Sequence, residues 1–127
     1  MKITIDSFVD CGLLDKERVI LKVFEDGDLG DYTALLSKKN VKDGENISSA
    51  GKQWCYWFPN VDVKKGDLIV LYSKKGNQKT KEINANSTAR FFYWGFDEPI
   101  WVGHKYNLVL LYSEEWDFGS VPVSVEE

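Results

Sequence analysis

Histidine is nearly missing from this 127-residue chain, which has a single copy at His104, and cysteine occurs only at Cys11 and Cys55. One imidazole and two thiols are too few ligands for a structural zinc site. A disulfide between Cys11 and Cys55 would need an oxidising compartment, and nothing in the chain directs it to one; reduced, buried or half-buried thiols are expected. No apolar run approaches the roughly 20 residues of a membrane-spanning helix. The opening Met1–Asp6 lacks the apolar stretch and small-residue cleavage site of a secretory leader, so a cytoplasmic protein is expected. Arginine is scarce, at Arg18 and Arg90 only, and the net charge is -4. General nucleic-acid binding draws its affinity from neutralised phosphates, so this charge balance argues against it.

Enzyme signatures are also absent. No serine sits in a nucleophile elbow, and neither cysteine has a catalytic context. Gly51-Lys52 is followed by Gln53, where a phosphate-binding loop requires Ser or Thr, and position 46 is Asn rather than Gly. Asp26, Asp28 and Asp31 prompt a test for a hard cation, yet Gly30 and Asp31 are exchanged relative to the EF-hand pattern and Ser37 stands where a bidentate Glu belongs. They read better as β-turn aspartates. Glu114, Glu115 and Asp117 read as solvated charges after a strand. No cofactor or metal is implied, and a small hydrolase built on His104 with Asp97 or Glu98 is the remaining catalytic alternative.

What the chain does hold is aromatic: five Trp, six Tyr and seven Phe, in short runs separated by glycine-containing polar stretches. That is the pattern of an all-β domain. Residues 18–25 alternate with one fully apolar face. The glycines and aspartates of 26–31 should reverse the chain, with Tyr32–Ser37 as the returning strand. Gln53–Phe58 closes at Pro59, which has no N–H to offer a ladder. Leu68–Tyr72 and Leu108–Tyr112 are apolar on both faces, which marks a covered or central strand. Arg90–Trp94, Ile3–Val9 and Val121–Val125 complete about eight strands, and Asp15–Arg18 is long enough for one helical turn. The expected architecture is a single all-β domain over residues 1–127, an antiparallel β-sandwich of eight to nine strands.

Charge is distributed unevenly. Residues 38–81 hold ten Lys against four acidic residues, and no basic residue follows Lys105. Lysine pairs at Lys38–Lys39, Lys64–Lys65 and Lys74–Lys75, with Lys79 and Lys81, read as turn lysines that keep strand edges soluble. The best binding candidates are rings. Trp54, Tyr56 and Phe58 share one strand face while Trp57 takes the other, and Phe91 and Tyr93 oppose Phe92 and Trp94, so both sets cannot fill one core. Trp54, Trp57, Tyr93, Trp94 and Trp101 are therefore the candidate binding residues, weighed against a role in core or edge packing.

Three stretches carry a family resemblance. Arg18–Glu25 followed by Asp31–Leu36 looks like an opening strand pair. Tyr56–Pro59 and then Val63–Tyr72 is similar to an aromatic-Phe-Pro element leading into a Gly-acidic-apolar strand. Phe92–Gly95, Ile100–Trp101 and Leu108–Leu111 look like a late tryptophan and a last long strand. Together, over about residues 18–118, they resemble the lamin-tail domain, an immunoglobulin-like β-sandwich, in the stand-alone form found in bacteria. The chain departs from that pattern at Gly51–Trp54, at Val102–Asn107 and in the polar insertion between Ser73 and Ala89. The resemblance implies an immunoglobulin-like fold and a non-catalytic interaction or localisation module, with a protein partner or a second copy as ligand. A carbohydrate-binding module with aromatic platforms is the alternative.

Overall fold

The computed structural model describes residues 1–42, 45–48, 54–103 and 105–122. Among these residues the chain forms eleven strands: β1 Ile3–Val9, β2 Arg18–Val23, β3 Gly27–Asp28, β4 Tyr32–Lys42, β5 Glu45–Ser48, β6 Trp54–Trp57, β7 Asp62–Val63, β8 Leu68–Tyr72, β9 Lys79–Asn84, β10 Ser87–Tyr93 and β11 Tyr106–Tyr112. A five-stranded sheet runs β1-β2-β8-β10-β9, and a second sheet has β4 at its centre, paired with β11 on one side and with β5 and β6 on the other. A two-residue bridge, β3 to β7, closes one end. The all-β sandwich expected from the aromatic and glycine spacing is what forms.

Alternation explains which face each strand buries. Val19, Leu21 and Val23 of β2, Ile69 and Leu71 of β8, Phe92 of β10 and Ile3 of β1 point inward, where they meet Tyr32, Ala34 and Leu36 of β4. Tyr56, Leu108 and Leu110 pack against this core from the flanking strands. Each fully buried aliphatic or aromatic side chain contributes roughly 1.5–3 kcal/mol. Leu29, Phe58 and Val63 seal the end where β3 meets β7.

Several elements differ from the sequence reading, each for a physical reason. The stretch 26–31 does turn the chain, but a 3-10 turn at Leu29–Asp31, capped by Asp28 Oδ1 accepting from Gly30 N at 2.8 Å, carries it across to the second sheet. Tyr32–Ser37 therefore pairs with β11 and β6 instead of returning against β2, and it extends to Lys42. Leu108–Tyr112 lies on an edge, with Leu111 exposed, although its composition suggested a covered strand. One pair breaks the antiparallel pattern, since β10 runs parallel to β8. The polar insertion after Ser73 makes this possible: the chain passes outward to form β9, turns at Asn84–Ser87, and fills the slot between β9 and β8 with β10. Both thiols are exposed rather than buried or half-buried, because Cys11 lies in a loop and Cys55 points outward from β6. The helical turn expected at Asp15–Arg18 sits slightly earlier, with Lys16 N and Glu17 N both donating to Leu13 O. Of the strand expected at Val121–Val125, residues 121 and 122 are irregular and the rest lies outside the described residues.

Candidate functional site

The five candidate rings go to four different places. Trp101 is 9% exposed and belongs to the core, edge-on to Phe8 at 4.9 Å, so its face is not offered to a ligand. Trp94 is half-buried between Tyr56 and Phe96. Trp54, 67% exposed, meets Phe96 edge-on at 6.1 Å, so a chain of rings runs from Trp54 at the surface through Phe96 and Trp94 to Tyr56 and the core. Tyr93 lies on the outer face of the five-stranded sheet and Trp57 on the outer face of the other. None of these tryptophans stacks on another: Trp54–Phe96 and Tyr56–Trp94 meet edge-on and Trp94–Phe96 is tilted.

The outer face of the second sheet gathers a cluster of exposed apolar side chains. Strand pairing puts Leu35 of β4, Cys55 and Trp57 of β6, and Val109 and Leu111 of β11 on one side, away from the core. Trp57 is anchored there by its Nε1 donating to Gly30 O at 2.7 Å. The segment after β11 returns over this face: Trp116 meets Trp57 edge-on at 5.0 Å and Phe118 flanks Trp116 at 6.3 Å. Despite these contacts Trp57, Trp116 and Phe118 remain 54%, 61% and 77% exposed. Trp116 and Phe118 are absent from the sequence-based candidates because they sit among Glu114, Glu115 and Asp117, which read as solvated charges. A ring inside an acidic run just after a strand was the available signal. The segment is tied down locally: Ser113 N donates to Asp31 O, Ser113 Oγ to Glu115 O, and the Tyr112 hydroxyl to the Glu114 carboxylate. That last bond, with the carboxylate's charge beside it, pushes the Tyr112 phenol up to about 12.

A second aromatic surface lies on the opposite side of the molecule. Tyr72 stacks on Tyr93 at 5.3 Å and 9° and flanks Phe91 at 6.5 Å and 29°, the rungs of β8 and β10 being directly opposed. Arg18 and Lys74 sit over the Tyr72 ring at 5.7 and 5.1 Å, and Lys79 over Phe91 at 5.7 Å. Gly76 lies so close to Tyr93 that a Cβ there would collide with the ring, which fixes the loop before β9.

Four acidic side chains accept from backbone N–H groups. Asp26 accepts from Lys65 N, Asp28 from Gly30 N, and the buried Asp67 from both Lys64 N and Thr88 N, each at 2.8–2.9 Å. Glu17, fully buried, accepts from Gly12 N at 2.9 Å, Ile100 N at 2.8 Å and Trp101 N at 3.4 Å. Asp97 pairs with Lys75 at 2.9 Å on the surface, and His104 lies outside the described residues. No group of three His, Cys, Asp or Glu among the described residues is placed to hold a metal ion. Open depressions of about 470 and 440 Å³ flank Trp101 and Trp54, the first lined by Phe8, Cys11 and Tyr106 and the second by Phe96, Glu98 and Lys105. No helix among the described residues is long and apolar enough to cross a membrane.

No family model, curated protein or solved structure matches this chain.

Proposed function

We propose that this chain is a non-catalytic interaction module that engages a protein partner through the outer face of its second sheet. The observation that carries this reading is the cluster of Trp57, Trp116 and Phe118, rings in mutual contact that are each more than half exposed. Three large rings held together in water keep their hydrophobic cost until something covers them, and exposed apolar patches of this kind mark interaction sites. Tryptophan supplies large, rigid contact area at low entropic cost, which is why it dominates interface energetics. The lamin-tail resemblance of residues 18–118, with an immunoglobulin-like topology and a cytoplasmic setting in which Cys55 stays a thiol, belongs to the same proposal.

The test compares the immobilised wild-type chain with the double variant W57A/W116A in native lysate. A partner retained by the wild type and lost on the order of tenfold or more in the variant supports the reading. Equal retention by both chains overturns it. So does a saturable change in tryptophan fluorescence on titration with neutral glycans, which would favour a carbohydrate-binding module instead.

A further inference from the structure

Resting on that reading, the partner can be narrowed from two surfaces that face in opposite directions. The segment Ser113–Pro122 is acidic and aromatic: Glu114, Glu115 and Asp117 are interleaved with Trp116 and Phe118, and no Lys or Arg follows Lys105. Its rings lie beside Trp57 on the outer face of the second sheet. The outer face of the five-stranded sheet is its chemical complement. There Tyr72, Phe91 and Tyr93 form a half-buried row, and Lys74, Lys79 and Lys81 border it. These lysines form no ion pair among the described residues, whereas Arg18 and Lys22 on the same face are matched by Asp10 and Asp6. Unpaired cations around rings thus face one way, and carboxylates carrying exposed rings face the other. Two sheets, roughly 10 Å apart, separate them, and the Ser113 N–Asp31 O bond and the Trp116–Trp57 contact hold the segment on its own side.

We infer that the acidic aromatic segment of one copy docks on the lysine-bordered Tyr72–Phe91–Tyr93 face of a second copy, joining molecules head to tail. Because the two surfaces differ, the contact is heterologous, and each added copy leaves one free face and one free segment. Trp116 and Phe118 supply most of the affinity, since exposed ion pairs contribute little. Pairing of lysine with carboxylate sets the orientation and speeds encounter.

Sedimentation velocity over a micromolar to sub-millimolar series provides the test. The wild-type mass rises with concentration and falls with added salt. K79E/K81E, which spoils the face, and E115K/D117K, which spoils the segment, each weaken association on the order of tenfold. An equimolar mixture of the two regains association, because the intact segment of the first meets the intact face of the second and the exchanged charges complement each other at the remaining contact. A matching far-UV circular-dichroism spectrum shows each variant folded; where a reversal fails to fold, the neutral variants K79Q/K81Q or E115Q/D117N give the same comparison. A wild type that stays monomeric throughout, association indifferent to both reversals, or a mixture that fails to combine overturns the inference. The first of these, with lysate capture still dependent on Trp57 and Trp116, removes self-docking and leaves the module reading standing.

Discussion

Glu17 is a buried carboxylate whose partners are backbone N–H groups. Its two oxygens hold Gly12 N in the loop after β1 and Ile100 N and Trp101 N in the loop before β11, residues 83 and 84 positions away in the chain. Trp101 sits in the core because this carboxylate fixes the backbone beneath it. Truncation leaves the buried Ile100 N and Trp101 N without an acceptor and removes the half-buried bond from Gly12 N. Glu17→Ala is expected to cost about 3 kcal/mol, a drop of roughly 10 °C in Tm. Glu17→Gln keeps one carbonyl acceptor and costs about half as much. Thermal unfolding followed by circular dichroism measures both, and a Glu17→Ala chain as stable as the wild type would contradict the role assigned to the carboxylate.

At the scale of elements, Asp67 decides how the parallel pair is seated. Gly66, at φ 94°, lets the turn into β8 close, and Asp67 then accepts from Lys64 N within the turn and from Thr88 N at the start of β10. One side chain thus joins β8 to its parallel neighbour. All of β9 is solvent-exposed and pairs only with β10, so this outer hairpin is attached through the β8–β10 ladder and that clamp. Asp67→Ala is expected to cost about 2 kcal/mol and to speed amide exchange in β9 and at Thr88 more than in β1 and β2; uniform acceleration across the sheet would argue against a local clamp. The sequence shows why this region was hard to read. Arg18–Val23 is legible because its alternation displays the buried face directly, and Leu68–Tyr72 because a run apolar on both faces marks a central strand. Lys79–Asn84 carries no apolar face and reads as loop, since an exposed edge strand is held by backbone bonds that leave no mark on side-chain pattern. Leu108–Tyr112 misled in the opposite sense: its outward Val109 and Leu111 look like core residues but form part of the exposed face beside Trp57. The candidate site was half legible for the same reason, because ring content is visible in sequence while the strand face that receives each ring depends on pairing.

For the whole molecule, the phenols in and against the core set an upper limit on pH. Burial pushes the Tyr32 hydroxyl above its ordinary value, although Ile3 N donates to it at 3.3 Å, and burial likewise raises Tyr56 despite a hydrogen bond from Gln78. Both phenols are harder to ionise in the fold than in the unfolded chain, where tyrosine titrates near about 10. Raised values of this kind give stability that is fully present below about pH 10 and lost as pH climbs through the folded values. The net charge of -4 grows more negative over the same range as lysines neutralise, and the two effects add. They separate in salt, since screening relieves repulsion between surface charges and leaves the burial cost of a phenolate largely intact. Chemical unfolding should therefore show a flat stability from neutral pH to about 10 and a fall above it that persists at high ionic strength. Tyr56→Phe, which removes one half-buried phenol while keeping the ring contacts to Phe58 and Phe92, should make that fall shallower. A fall abolished by salt alone, with Tyr56→Phe indistinguishable from wild type, would assign the limit to net charge instead of the core.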